Sequence, residues 1–252
     1  MAKQAGIIKL KGTIGDIAFY KSGDGHIARF KGGVNRKRIA TNPAFKRTRE
    51  NGAEFGRAAK GGKLLRNAMQ VMLQQAKDPK IVSRLTTVLL AIIKTDTVSA
   101  RGSRTLTLGN LGLLNGFDFN GNSPFKTTFP VPFVGSYDRA AGTVGLALEA
   151  FNPEVQIAAP AGATHYKLSA GVSELDFDQE ASLFKAVDSG ILPYENAPVA
   201  AMDLDLEITA NSTLAVVQVL SIEFFQEVNG TMYALQNGTY NAMTVVQTDQ
   251  PA

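Results

Sequence analysis

Between residues 104 and 105 the sequence changes sign. Residues 1–104 carry 22 lysines and arginines against 6 acids, and residues 105–252 carry 4 against 16. A net charge of +4 therefore hides regions of +16 and −12. Like charges held that close repel unless something neutralises them, so the chain must meet opposite charge, either on another part of a protein or on a polyanion. The densest run is residues 36–49, where Arg36, Lys37, Arg38, Lys46, Arg47 and Arg49 stand with no acid among them. Texture changes at the same place. After residue 105, Lys and Arg become scarce while Gly, Asn, Thr and Pro rise. The reading is a basic region over 1–104, built of a β-hairpin and helices, followed by an acidic β-domain over 105–252.

In the basic region, Ile8, Leu10, Ile14, Ile17, Phe19, Ile27 and Phe30 are the apolar positions of short alternating runs. The turn signal SGDG (Ser22 to Gly25) between two of those runs predicts a hairpin. Thr41 or Asn42 is the predicted cap of a first long helix, with Pro43 at its opening position. Phe45, Phe55, Ala59, Leu65, Met69, Met72, Leu73 and Ala76 trace its apolar face. Gly52, Gly56, Gly61 and Gly62 weaken it by about 1 kcal/mol each relative to Ala, and a break is predicted at Gly61–Gly62. The same glycines would let another backbone approach closely. A second helix is predicted from Asp78 as cap and Pro79, with Ile81, Val82, Leu85, Val88, Leu89, Ile92 and Ile93 as its buried stripe.

The acidic region reads as strands over 126–134, 143–150, 163–172, 182–187, 201–210, 213–228, 231–236 and 241–248. Asn-Gly in VNGTM (Val228 to Met232) and QNGTY (Gln236 to Tyr240) marks two hairpins. Short strands at this spacing predict an α+β chain that is mainly β: an N-terminal β-hairpin with two helices, then an antiparallel β-sandwich, immunoglobulin-like or jelly-roll.

Two sets of residues are candidate contact sites. The cations of residues 36–49, extended by Arg57, Lys60, Lys63 and Arg66 on the first helix, suit either phosphate along a nucleic acid or the acidic surface of a neighbouring subunit. Glu174, Asp176, Asp178 and Glu180 recur at every second residue, as do Asp203, Asp205 and Glu207. In a strand each row lies on one face. Such a row can meet the basic surface of another subunit. A calcium site is disfavoured because no EF-hand or tandem calcium repeat spacing is present.

Catalytic signals are poor. His26 and His165 have no Ser-His-Asp or metal-ligand spacing around them and read as turn or packing residues. Gly56 to Lys63 lacks the Gly-Lys-Ser/Thr order of a phosphate loop, and Ser182 to Lys185 lacks the companions of a Ser-x-x-Lys enzyme. With no cysteine in the chain, disulfides and thiolate metal sites are excluded. No catalytic group, cofactor or metal is expected. The first residues are broken by lysines, which argues against a signal peptide, and the apolar stretch Leu85 to Ile93 is too short to span a bilayer. Synthesis in the cytoplasm is expected, with no membrane contact.

IKLKGTIGDIAFYKSGDGHIARFKGG and NPAFKRTRENGAEFGRAAKGGKLLR together resemble a group of uncharacterised Bacteroidota proteins, and IEFFQEVNGTMYALQNGTYNAM is similar to the end of the same group. The resemblance covers about the first 70 residues closely and about the last 30 loosely. It implies an origin in virus-like integrated elements and carries no catalytic residue across. Together these features lead us to expect a self-assembling structural subunit, most concretely capsid- or virion-like. It would be a homo-oligomer of many copies whose final location is a virion or other large assembly. A fibre or tube without nucleic acid and a non-specific nucleic-acid-binding protein are the alternatives.

Overall fold

A computed structural model describes residues 2–76 and 78–251, apart from the side chains of Gln236 and Asn237. Two compact units divide the chain, Met1–Arg49 and Glu50–Ala252. The charge changes at 104/105, but the contacts change at 49/50. The helices of the basic region therefore share one compact unit with the acidic strands, because the helices need the sheet to bury their apolar faces.

The first unit is an antiparallel sheet of β1 (Ala2–Lys3), β2 (Gly12–Ile14), β3 (Ile17–Ser22) and β4 (Gly25–Phe30), in the order β1-β4-β3-β2. The predicted SGDG hairpin joins β3 to β4, with Ser22 opposite Gly25. A short helix, α1 (Arg36–Thr41), follows, and the Asn35 side chain accepts from the Lys37 N–H at 2.8 Å. Asn42 then caps a 3-10 turn over Pro43–Phe45, and not the long helix itself as expected; the turn leads into α2 (Lys46–Ala68). Ile27 is the one buried residue among residues 2–49.

In the second unit, α2 is followed by the single turn α3 (Gln70–Leu73), by α4 (Ile81–Lys94), and by the turns α5 (Phe125–Thr128) and α6 (Pro153–Gln156). Ten strands complete it among the described residues. These are β5 (Phe133–Asp138), β6 (Thr143–Leu148), β7 (His165–Asp176), β8 (Ala181–Asp188), β9 (Leu192–Pro193), β10 (Met202–Asp203), β11 (Leu206–Glu207), β12 (Ala215–Val228), β13 (Thr231–Ala234) and β14 (Ala242–Asp249). The larger sheet runs β13-β12-β7-β8, with β14 also on β12 and β9 also on β7. The smaller sheet is β10-β6-β11, with β5 on the other side of β6.

Period-two alternation along β12 builds the layers. Val217 and Val219 join Leu65, Met69, Leu85, Leu89 and Ile93 in a core under the helices. Leu220, Ile222 and Phe224 join Phe129, Leu146 and Leu148 in a core toward the smaller sheet. The two sheets thus form the expected sandwich, and helices cover the outer face of the larger one. At Asn229 and Gly230 the backbone has φ of 51° and 78°, the left-handed pair that a two-residue hairpin requires.

Several expectations are corrected. The first helix does not break at Gly61–Gly62; α2 is continuous there, and both glycines are buried. A Cβ at Gly61 would land on the Leu106 side chain, and one at Gly62 would lie 3.2 Å from Leu89 Cδ1. What approaches these glycines is side chains, with no room left for a methyl group. Asp78 is not the cap of α4, which starts two residues later than expected. Its Oδ1 accepts from the Lys80 N–H at 2.6 Å, while Oδ2 accepts from Arg84 Nη2 at 2.5 Å and the Gly121 N–H at 2.7 Å. Val82 of the predicted stripe is exposed, and Thr86 is buried instead. Residues 126–134 are not one strand, because α5 opens after Pro124, with the Thr127 and Thr128 hydroxyls donating to its carbonyl. QNGTY makes no hairpin. Leu235–Gly238 is a 3-10 turn, and β13 and β14 both pair with β12 instead of with each other.

Candidate assembly surface

The basic set divides by what each cation touches. Arg36, Lys37 and Arg38 sit on α1 and are exposed, and Lys46 and Arg47 open α2 at exposed positions. Lys63 is exposed as well. The arginines farther on hold the fold. Arg49 Nη1 donates to the Ile39 and Asn42 carbonyls at 2.8 and 2.9 Å. Arg57 donates to the Arg104 and Gly102 carbonyls at 3.0 and 2.7 Å, and Arg66 to that of Gly62 at 3.0 Å. Lys60 is paired with Glu180 at 2.6 Å on an exposed surface. That bond and the ammonium charge hold the Glu180 carboxyl below its ordinary value. One basic and one acidic residue of the two predicted sets thus meet inside a single chain.

The N-terminal unit presents apolar side chains to solvent, Ile14 and Phe30 from its sheet and the others from the connecting segments. Ile7, Ile8, Leu10, Ile14, Phe30 and Val34 are all exposed, Ile7 at 102% and Phe30 at 76%. A sheet gains its stability by covering one face with another layer.

The two acidic rows differ. In the second, Asp203, Asp205 and Glu207 are exposed while Leu204 is buried, as the alternation predicted. These acids lie along β10 and β11, which pair with β6. The first row does not stay in one strand. β7 ends at Asp176, whose Oδ1 accepts from the Asp178 and Gln179 N–H groups at 3.0 and 2.9 Å. Asp178 and Glu180 lie in the turn to β8, and Glu180 takes φ of 53°. Glu174 is 3% exposed and faces the smaller sheet. Its Oε2 accepts from the Thr209 hydroxyl at 2.9 Å.

His26 lies on β4 beside the hairpin turn, and His165 Nδ1 is 2.9 Å from the Thr164 hydroxyl. Gly56 to Lys63 lies inside α2, and Ser182 to Lys185 on β8. Among the described residues, no group of three or more His, Cys, Asp or Glu could hold a metal ion. No described helix is long and apolar enough to cross a membrane.

No protein-family model and no curated protein matches the chain. Among solved structures it has a likeness to one described as "pH-induced modulation of Streptococcus parasanguinis adhesion by Fap1 fimbriae". The identity is 13% and the TM-score 0.24, over 47% of this chain and 81% of that one. A likeness that distant carries no argument about function.

Two features escape a reading from spacing. Alternation put Ile8, Leu10, Ile14 and Phe30 on strands; Ile14 and Phe30 are, but Ile8 and Leu10 lie in the connection between β1 and β2, and alternation gave no sign that all four are exposed. It also put Glu174 on the same footing as Asp203. The signal that separates them is the neighbourhood: Glu174 follows an apolar strand, Tyr166 to Val172, that is covered on both faces.

Proposed function

We propose that the chain is a self-assembling structural subunit, most concretely of a capsid- or virion-like shell, and that its N-terminal unit reaches a second copy. The observation that carries this is the exposed apolar surface of that unit. Ile27 alone is buried among residues 2–49, while six large apolar side chains of that unit face solvent. A unit this small cannot build a sufficient core alone, and oligomerisation is a usual remedy. Charge supports a copy of the same chain as the cover. Residues 1–49 hold 12 Lys and Arg against 2 Asp, and the exposed Asp203, Asp205 and Glu207 offer the opposite sign on the second unit. A contact between two different patches is heterologous: it closes into a ring or shell if the rotation allows, and otherwise extends as a fibre or tube.

A nucleic-acid-filled assembly is the second reading. It is favoured by Arg36, Lys37 and Arg38, which are exposed on a six-residue helix that contains no acid. Both readings are tested by size-exclusion chromatography of freshly expressed protein, read at 260 and 280 nm. With no Trp and 6 Tyr in the chain, bound nucleic acid would dominate the absorbance. A large species free of nucleic acid is the expected result. A large, nuclease-resistant species rich in 260 nm absorbance would make phosphate the counter-charge. Protein that stays monomeric at low salt and high concentration would end the assembly reading.

A further inference from the structure

Glu174 has one carboxylate oxygen too many for its surroundings. Oε2 is bound by the Thr209 hydroxyl at 2.9 Å and its N–H at 3.3 Å, but Oε1 is buried with no hydrogen-bond partner among the described residues. No described cation lies within ion-pair distance of it. Nearby Lys185 is turned away, donating to the Glu207 carbonyl at 2.6 Å. A buried carboxylate left half-satisfied is costly, and such an orphan calls for an explanation.

The surroundings supply one. Glu174 lines a pocket of about 270 Å³ between the two sheets. Val172, Leu183, Phe184 and Ile208 give it apolar walls, Thr209 shares the polar end with Glu174, and Lys185 also lines it. Leu183, on its rim, is 60% exposed. Apolar walls suit a methylene stem, and an unpartnered carboxylate oxygen buried at the end suits an ammonium or guanidinium head. Arginine anchors in such desolvated pockets are frequent centres of protein interfaces.

We infer that the pocket over Glu174 is a receptor for a cationic side chain, an arginine or lysine delivered by a second copy of this chain, whose head group takes the unpartnered Oε1. This rests on the assembly reading above and names one of its contacts. The donor is the exposed set Arg36, Lys37 and Arg38: α1 carries cations with no acid among its residues, and the pocket offers an unpartnered carboxylate oxygen whose neighbouring cation, Lys185, donates to the Glu207 carbonyl instead.

The test is self-association of the full chain by sedimentation velocity. Glu174→Gln keeps the shape and an acceptor for Thr209 but removes the charge. It should weaken association about 10- to 100-fold, the range for losing a charge-assisted hydrogen bond. Replacing Arg36, Lys37 and Arg38 by Ala should do the same, and the combined variant should be no weaker than either alone. Leu183→Arg places a competing guanidinium at the exposed rim without touching the core, and should also weaken association. It decides the matter if Glu174→Gln does not fold. A folded Glu174→Gln that associates like the wild type overturns the receptor and leaves assembly standing. A wild type that stays monomeric removes both the assembly reading and the second-copy donor. The receptor itself is then judged by titrating the wild type with Nα-acetyl-arginine amide and the uncharged Nα-acetyl-citrulline amide. A shift of the Thr209 amide resonance with the first alone upholds it, and equal responses overturn it.

Discussion

Asp96 shows how a single carboxylate ties this fold to pH. It is buried just beyond α4. Its Oδ1 accepts from the Val98 and Ser99 N–H groups, both at 2.9 Å, and its Oδ2 from that of Thr105 at 3.1 Å. Burial pushes its pKa up, but the N–H groups outweigh burial and hold it at about 2, against an ordinary 3.8. A depressed carboxylate pKa stabilises the fold above the ordinary value, and that stabilisation is lost as pH falls toward the folded value. Urea melts should therefore show wild-type stability declining between about pH 4 and pH 2. Asp96→Asn should be less stable at neutral pH and flatter over the same window. At this scale the sequence was legible where a residue's fate depends on period alone. Asp203 and Glu174 stand in similar period-two rows, yet one is exposed and the other buried, because β10 is a two-residue strand at a sheet edge and β7 is covered on both faces.

Four glycines in α2 look alike in sequence and are not alike in the helix. Gly52 and Gly56 face open space, whereas Gly61 and Gly62 lie under Leu106, Leu85 and Leu89. Gly56→Ala should stabilise the protein by about 1 kcal/mol through helix propensity. Gly61→Ala gains the same propensity but overpacks the core, at a cost of about 1–3 kcal/mol, so its net effect is destabilising. Thermal melts of the two variants should move in opposite directions. The expected break at Gly61–Gly62 failed because propensity is a weak prior against a face packed with leucines. Elements specified by their own residues were legible. Examples are β12, from its long run rich in β-branched and aromatic residues, and the Asn229-Gly230 turn, from its left-handed dipeptide. QNGTY carries the same dipeptide but not the same turn, since β12 is the better partner for both flanking strands.

For the whole molecule, the division at 49/50 would separate stability from the association proposed above. Deleting residues 2–35 removes the four-stranded sheet and none of the buried residues of the second unit. Calorimetry should find the main melting transition unchanged, while sedimentation finds self-association lost. At about 1 M salt, where the Debye length falls to about 3 Å, the full chain should associate more weakly than in dilute buffer. The 49/50 division was hidden in the sequence because charge marks which surfaces attract, and packing alone marks which segments fold together. The position of β14 adds a matter of timing. Over Val216–Ile222, β12 pairs on one edge with β14, and the main chain of Gly116–Phe119 bonds to the far side of the same strand. Neither can be completed until translation has reached Asp249, 200 residues beyond Arg49. At about 5–20 residues per second that interval lasts roughly 10–40 s. The segment proposed to reach a neighbour would therefore leave the ribosome well before the receiving sheet of its own chain is complete.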